Sequence, residues 1–415
     1  MEASKAPSEV GLQPSGIKVI VVGAGFGGLT AAIECHRQGH DVEIYESFPE
    51  LKSLGDIISF GPNAGRIFRR WSNGKIADRL KPLSINLESH GFKIHKWTGE
   101  LVHTQIAHNP DPDAPVFNGH RGELHTVVFN YARDELGIPI HLGQRVMEYF
   151  EDGNQAGIVL ESGIKVIGDM VIGADGVRSK ARELVLGYVD KPKSSGYAVF
   201  RAWFNNNDMI RDPRTKHFCE NGDTFNVLYF FEPKKVIDKV KLQDDADIEE
   251  SWSFPGKLED VYKVIEGWDP ICKAIVEKTP SIVDWKLVYR DPLPRWVSEH
   301  GRIALLGDSA HPFLPTSAQG ATQAMEDGVV LAVCLKRGGK NGVPASVRAY
   351  QDIRYERVCA VQKTGETTRD LWHKADWEKV AKDPASIQMP REDWIFRFDA
   401  ERNAEEVFPQ VVEVK

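Results

Sequence analysis

The chain has 415 residues, of which 41% are hydrophobic and 27% charged, a composition that supplies two or three cored units and excludes an intrinsically disordered protein. Lys and Arg number 52 against 60 Asp and Glu, so the formal charge is −8 and no overall basic field exists to gather nucleic acid or anionic lipid. The longest apolar runs, Ile17–Val22 and Val329–Leu335, fall far short of the ~20 residues of a membrane-spanning helix.

Residues 1–16 are polar, lack the apolar stretch of a secretory signal and the Arg-rich pattern of a transit peptide, and read as a flexible leader. Ile17–Val22 is a short β-branched run of the kind buried in a parallel sheet, Leu29–Arg37 is rich in helix formers, and Val42–Tyr45 resumes a strand. Together they predict βαβ in under thirty residues. Tyr197–Phe204 and Phe225–Phe231 carry aromatic and β-branched residues at period two, which predicts half-buried antiparallel strands in a second, sheet-based unit. A strand pattern returns at Arg302–Leu306, followed by a helix over Ala318–Leu335. From Tyr350 onward a long helix is expected, and then Pro384, Pro390 and Pro409 break a charged tail containing Trp394, Phe396 and Phe398 that packs on the body. Cys35, Cys219, Cys272, Cys334 and Cys359 lie far apart without a CxxC pair, which predicts neither a metal site nor disulfides and points to a reducing, cytoplasmic setting.

Gly23-Ala24-Gly25-Phe26-Gly27-Gly28 is a GxGxxG between a strand and a helix. Gly23 permits the tight turn, Gly25 lets backbone approach a pyrophosphate, and Gly28 lets helix pack on strand, while the helix N-terminus offers unpaired N–H groups and a favourable dipole. Alone, such a loop also occurs as a turn that merely packs. Glu46 closes the second strand 23 residues past Gly23, the place of an acid that binds a ribose hydroxyl and disfavours a 2′-phosphate, which suits FAD or NAD.

Two further segments, Asp169–Ser179 (DMVIGADGVRS) and Gly301–Gly328 (GRIALLGDSAHPFLPTSAQGATQAMEDG), complete a resemblance to the class A flavoprotein monooxygenases typified by para-hydroxybenzoate and salicylate hydroxylases. The resemblance spans residues 17 to 370. It implies that Glu46 holds the adenosine ribose, that backbone near Ser59 lines the isoalloxazine, and that Arg121 contacts the flavin. It also implies that the Asp175-Gly176 turn lies between FAD and a nicotinamide, that Asp308 bonds the ribityl chain, and that Gln319, Gly320 and Ala321 bring backbone amides to the pyrimidine end. The chemistry of the residues agrees: an acid after Gly307 accepts hydroxyl donors, and a helix dipole beside N1 and O2 stabilises anionic reduced flavin. Asp308 and Asp175 also read as plain turn residues. Where many members have Gly before Gln-Gly, this chain has Ala318, as in the salicylate-hydroxylase branch. With no second GxGxxG, NADPH or NADH would dock transiently.

Arg201, a charge inside an aromatic strand, needs an anionic partner, and the resemblance to fungal members makes it a binder of phenolate or carboxylate, with Tyr229 bonding the reacting hydroxyl. The alternatives are a structural ion pair and ordinary sheet packing. His311 reads as a packing residue beside the flavin chain, and His120 and His125 lack a third ligand at metal spacing.

The expected fold is α/β with α+β elements: a discontinuous Rossmann-type FAD-binding domain (17–80, 105–185 and 296–340), an inserted antiparallel-sheet substrate domain (81–104 and 186–295), and a C-terminal helical segment and tail (341–415). The expected activity is NAD(P)H- and O₂-dependent hydroxylation of an electron-rich aromatic small molecule through a C4a-hydroperoxide of the flavin. A phenol or hydroxybenzoate is favoured, with decarboxylation where a carboxylate occupies the attacked carbon. Indole epoxidation is the alternative, because Leu51–Asp56 and Tyr197–Phe204 also look like fungal indole monooxygenases. A flavin oxidase or dehydrogenase, and a GDP-dissociation-inhibitor-like binding protein, stand as rivals from other classes. No interface signature is legible.

Overall fold

The computed structural model describes residues 13–50, 57–85, 91–106, 111–219 and 254–413. Its first elements are the strand Lys18–Val22 (β1), the helix Phe26–Arg37 (α1) and the strand Asp41–Tyr45 (β2). β1 lies inside a five-stranded sheet of order Ile303–Leu305, Met170–Gly173, β1, β2, Ile140–His141, in which each neighbouring pair is parallel. Val19, Ile20 and Val21 are fully buried, as β-branched residues covered on both sheet faces must be.

Helix Gly320–Gly338 crosses α1 closely. A Cβ on Gly328 would lie 2.7 Å from the backbone nitrogen of Ala31, so only glycine lets the two helices approach this far. The helix begins at Gly320 rather than at Ala318 because Ala318 is left-handed, with φ of +50°. Helix Val343–His373 then packs on it, starting one turn or more before Tyr350, with Pro344 in its first turn where no backbone N–H is missed. The tail forms a further helix, Ala400–Glu413, that continues through Pro409. Burial of Ala404 and Phe408 outweighs the hydrogen bond that this proline removes.

A separate antiparallel sheet pairs Lys193–Arg201 with Val283–Tyr289, and Phe254–Pro255 with the latter. The first of these strands starts and stops earlier than the aromatic pattern indicates. Trp203 falls beyond it and lies against His120 instead, the rings tilted at 38° with centroids 4.6 Å apart. Two antiparallel ribbons, Ile57–Phe60 with Phe117–His120 and Phe92–His95 with Leu101–Gln105, and a three-stranded antiparallel sheet of Val146–Glu151, Ala156–Leu160 and Lys165–Gly168 complete the described sheets. Leu51–Asp56, Phe225–Phe231 and Tyr229 lie outside the described residues.

Candidate active site

The glycine loop sits where β1 runs into α1. Gly23 has φ of +103°, and its N–H donates to the Tyr45 carbonyl at 2.8 Å. A Cβ there would meet the Ala174 carbonyl oxygen at 2.3 Å, and one on Gly28 would meet the Gly23 oxygen at 2.0 Å. On Gly25 it would meet nothing within 4 Å. Two glycines are therefore demanded by the protein's own packing, and the third leaves the backbone open on its outer side. α1 starts without a side-chain cap or an acidic residue in its first turn, which leaves N–H donors for an anion. Glu46 bends back over the loop: its Oε2 accepts from Ala24 N–H at 2.8 Å and its Oε1 from Phe48 N–H at 2.9 Å. His125, on helix Arg121–Asn130, donates from Nε2 to the Ala24 carbonyl at 2.6 Å. Burial lowers its pKa and nearby Arg121 lowers it further, against the Ala24 bond, which raises it.

The second motif and the start of the third form one body. Asp175 Oδ2 accepts from the Tyr149 hydroxyl at 2.8 Å and from Lys180 N–H at 3.0 Å, while Oδ1 accepts from the Ser309 hydroxyl at 3.1 Å. Ser309 Oγ in turn accepts from Gly176 N–H at 2.9 Å. Both oxygens of a carboxylate that sequence reading places between two nucleotides are thus engaged by protein donors. Arg182, 3% exposed and invisible to motif reading, donates to the carbonyls of Asp308 (2.7 Å), Ser309 (2.9 Å) and Val177 (2.8 Å). The half-buried Asp308 stands on a turn clamped from beneath.

Helix Gly320–Gly338 likewise starts without a side-chain cap or first-turn acid, so the N–H groups of Gly320 and Ala321 face outward at its positive end. The approach to it is tied down by Thr316, whose hydroxyl donates to the Gly365 carbonyl at 2.6 Å, and by Gln362, whose Nε2 donates to the Pro312 carbonyl at 2.9 Å. Behind the helix start lies a buried ionic group around Glu326 and Asp327 that the sequence does not announce, since its arginines lie on the next helix. Arg354, fully buried, donates to Asp327 Oδ1 at 2.8 Å and Glu326 Oε2 at 2.6 Å, and Arg357 adds a bond to Glu326 Oε2 at 2.9 Å. Burial alone would raise both carboxyl pKa values, yet the arginines, joined at Asp327 by His311, hold them below the ordinary range. His311 Nε2 lies 2.6 Å from Asp327 Oδ2, to which Gly307 N–H also donates at 3.2 Å.

The three motifs meet although up to three hundred residues separate them. A Cβ on Gly27 would touch Leu306 and Ala324 side chains at 2.7 and 2.9 Å, and one on Gly307 would touch Ala324 at 2.8 Å. Ser59 stands on the neighbouring ribbon, where Ile57 pairs with His120, and Arg121 opens the helix that follows His120. Asn63, just beyond Ser59, donates from Nδ2 to Gln319 Oε1 at 3.1 Å. Arg201 ends its strand half-buried, with its guanidinium 4.4 Å from the centroid of the Trp285 ring. The open Gly25, two uncapped helix starts and a turn presenting one carboxylate fit a flavin dinucleotide in donor set and shape.

Comparison with known proteins agrees with this geometry. A family model described as an FAD binding domain matches residues 122–364, and one described as an NAD(P)-binding Rossmann-like domain matches residues 21–51. The chain is 35% identical to the FAD-dependent monooxygenase nanF of Aspergillus nanangensis, over 96% of this chain and 90% of that protein. It is also 35% identical to the asperlicin C monooxygenase of Petromyces alliaceus, over 96% of this chain and 89% of that one. Among solved structures, CtdE in complex with FAD and a substrate superposes with a TM-score of 0.86 at 33% identity, covering 96% of this chain and 99% of that one. A glycine loop open at Gly25, a clamped Asp308 turn and a shared ancestry over nearly the whole length place this chain in the family of FAD-dependent monooxygenases.

Proposed function

We propose that this monooxygenase uses NAD(P)H and O₂ to oxygenate an electron-rich aromatic ring, with a phenol or hydroxybenzoate as the first substrate class. The observation that carries the reading is the meeting of the open glycine loop, the Asp308 turn and the Gly320 helix start beyond the C-terminal ends of the parallel strands Lys18–Val22 and Ile303–Leu305. Bound there, FAD supplies reducing equivalents and oxygen activation, and the chain supplies position and electrostatics.

In this reading the Gly23–Gly28 loop and the start of α1 receive the pyrophosphate, and Glu46 accepts a ribose hydroxyl. Asp308 accepts ribityl hydroxyls, with Asp175 and Arg182 holding its turn in place. The N–H groups of Gly320 and Ala321 face the pyrimidine edge, where a helix dipole favours negative charge. Ser59 lines the flavin from the neighbouring ribbon and Arg121 from the helix start that follows it. The strands Lys193–Arg201 and Val283–Tyr289 cover the substrate, so that residues 81–104 and 186–295 form the substrate domain and 17–80, 105–185 and 296–340 hold the cofactor. Arg201, steadied on Trp285, orients the substrate's anionic or π-rich edge, and Tyr229 hydrogen-bonds the reacting hydroxyl.

One observation favours epoxidation of an indole as a second reading. A guanidinium 4.4 Å from the centroid of the Trp285 ring offers a cation and an aromatic face suited to a neutral fused ring. The purified holoprotein separates the two when NADPH and NADH oxidation is followed with panels of phenols, benzoates and indoles under ¹⁸O₂. Label in a hydroxylated phenol supports the first reading, and label in an oxidised indole supports the second. Asp308→Ala is expected to lose FAD, and Arg201→Ala to keep FAD and lose substrate-stimulated oxidation. An unchanged rate in Arg201→Ala removes that residue from the substrate site.

A further inference from the structure

Between the helices Val343–His373 and Ala400–Glu413 the chain crosses residues 388–392 without helix or strand, so its backbone groups there need partners from elsewhere. Gln105, which closes the strand Leu101–Gln105 and is 7% exposed, supplies a matched pair. Its Nε2 donates to the Met389 carbonyl at 2.9 Å, and its Oε1 accepts from the Met389 N–H at 2.9 Å. The pairing fixes the amide's orientation, because a flip would set donor against donor and acceptor against acceptor. One side chain thus holds this stretch as a neighbouring strand would, across 284 positions of sequence.

Other elements hold the segment on either side of Met389. Trp372 donates from Nε1 to the Ile387 carbonyl at 3.1 Å, Arg357 donates to the Ile395 carbonyl at 2.9 Å, and Arg66, on the helix Pro62–Arg70, donates to the Phe396 carbonyl at 3.2 Å. What the segment covers follows from its contacts. A Cβ on Gly61 would lie 2.8 Å from the Phe396 ring, so that ring rests on bare backbone two residues beyond Ser59. Met389, Ile395 and Phe396 also line, with Ser317 and Gln319 just before Gly320, a crevice with room for about one water. These two places adjoin, since Asn63 donates to Gln319 Oε1 at 3.1 Å. The segment therefore touches both of the places read above as lining the flavin.

We propose that residues 387–396 form an outer wall of the flavin-ring site that keeps water and small ions from the ring, and that Gln105 is the positioning residue that latches this wall. The inference rests on the reading of this region as the flavin's place. Oxygen transfer needs such exclusion, because water admitted to the site opens side reactions that compete with the substrate.

The test uses the holoprotein at saturating FAD with two substitutions. Gln105→Leu keeps the side chain's bulk and loses both bonds, and Phe396→Ala thins the wall and leaves the latch. Hydrogen exchange read by mass spectrometry follows residues 387–396, and iodide quenching of the bound flavin's fluorescence reports access to the ring. Gln105→Leu is expected to speed exchange in this segment by about tenfold. Both variants are expected to raise the quenching constant by about twofold or more, which packing of the tail alone would not do. Unchanged quenching in Phe396→Ala would overturn the wall, and unchanged exchange or quenching in Gln105→Leu would overturn the latch. Where Gln105→Leu does not fold, Gln105→Glu, which keeps the acceptor for the Met389 N–H and loses the donor, is read by the same criteria. Wild type that binds no FAD would instead sink the reading of the site on which the proposal rests.

Discussion

At the scale of single residues, the three glycines of one motif divide by what their missing side chains avoid. Gly28→Ala drives a methyl into the Gly23 carbonyl at 2.0 Å and is expected to cost about 3 kcal/mol or more. Gly25→Ala meets nothing within 4 Å. It is expected to leave stability within about 0.5 kcal/mol of wild type while weakening FAD by about tenfold or more, because the methyl enters the pyrophosphate's approach. Thermal melting of apoprotein and FAD titration separate the two, and loss of stability in Gly25→Ala would contradict the division. Ala318 is legible in the sequence as a departure from Gly, but its consequence is visible only in its φ of +50°. A left-handed alanine costs roughly 1–2 kcal/mol, and the extra chain entropy of glycine returns roughly 0.5–1 of that. Ala318→Gly is therefore expected to raise apoprotein stability by up to about 1 kcal/mol. A lowered melting temperature would show that the turn is not strained.

At the scale of elements, the helix Gly320–Gly338 shows how a segment that reads as apolar carries charge to the site. Its outer part is tied to the start of the chain by His40, whose Nδ1 lies 2.7 Å from Ser15 Oγ and whose Nε2 lies 3.4 Å from the Ala332 carbonyl. Burial lowers the His40 pKa to about 4, against the Ala332 bond, which raises it, and with help from Lys336. An unfolded histidine titrates near 6.5, so acid protonates the unfolded chain first. The stability supplied by neutral His40 is complete above about pH 6.5 and is lost as pH falls toward 4, by up to about 3 kcal/mol. Urea unfolding from pH 7.5 to 4.5 should show this slope in wild type and a shallower one in His40→Gln. Equal slopes would assign the acid sensitivity to other groups.

At the scale of the whole molecule, the Glu326–Asp327–Arg354–Arg357 group joins the Asp308 turn, the Gly320 helix start and the tail. Arg357 donates to the carbonyls of Trp394 and Ile395 at 2.8 and 2.9 Å, and its guanidinium lies 3.6 Å from the Phe398 ring centroid. Arg354→Met leaves two buried carboxylates short of their cation and is expected to destabilise by about 3–5 kcal/mol. Arg357→Leu removes the bonds from Arg357 to Trp394 and Ile395 and leaves Arg354 in place. Limited proteolysis with mass spectrometry should then find faster cleavage around residues 389–398 with the rest of the chain intact. Uniformly faster cleavage would mean that the tail is not separately held.

The glycine loop, Glu46 at its spacing, the parallel sheet's first three elements and the order of the three motifs were legible in the sequence, because they are local: a short β-branched run, glycines at set offsets and a change of hydrophobic period lie within tens of residues. The family likeness followed from those motifs. The tertiary structure alone decided that Asp175 is engaged by Tyr149, Lys180 and Ser309, that Arg182 clamps the Asp308 turn, and that Arg201 rests on Trp285. It also decided that Asn63 meets Glu326 across 263 positions. Such contacts join residues with no common period or spacing, and their energetics depend on burial and on the orientation of partners far away in the chain, which exist only once the sheet and its helices have packed.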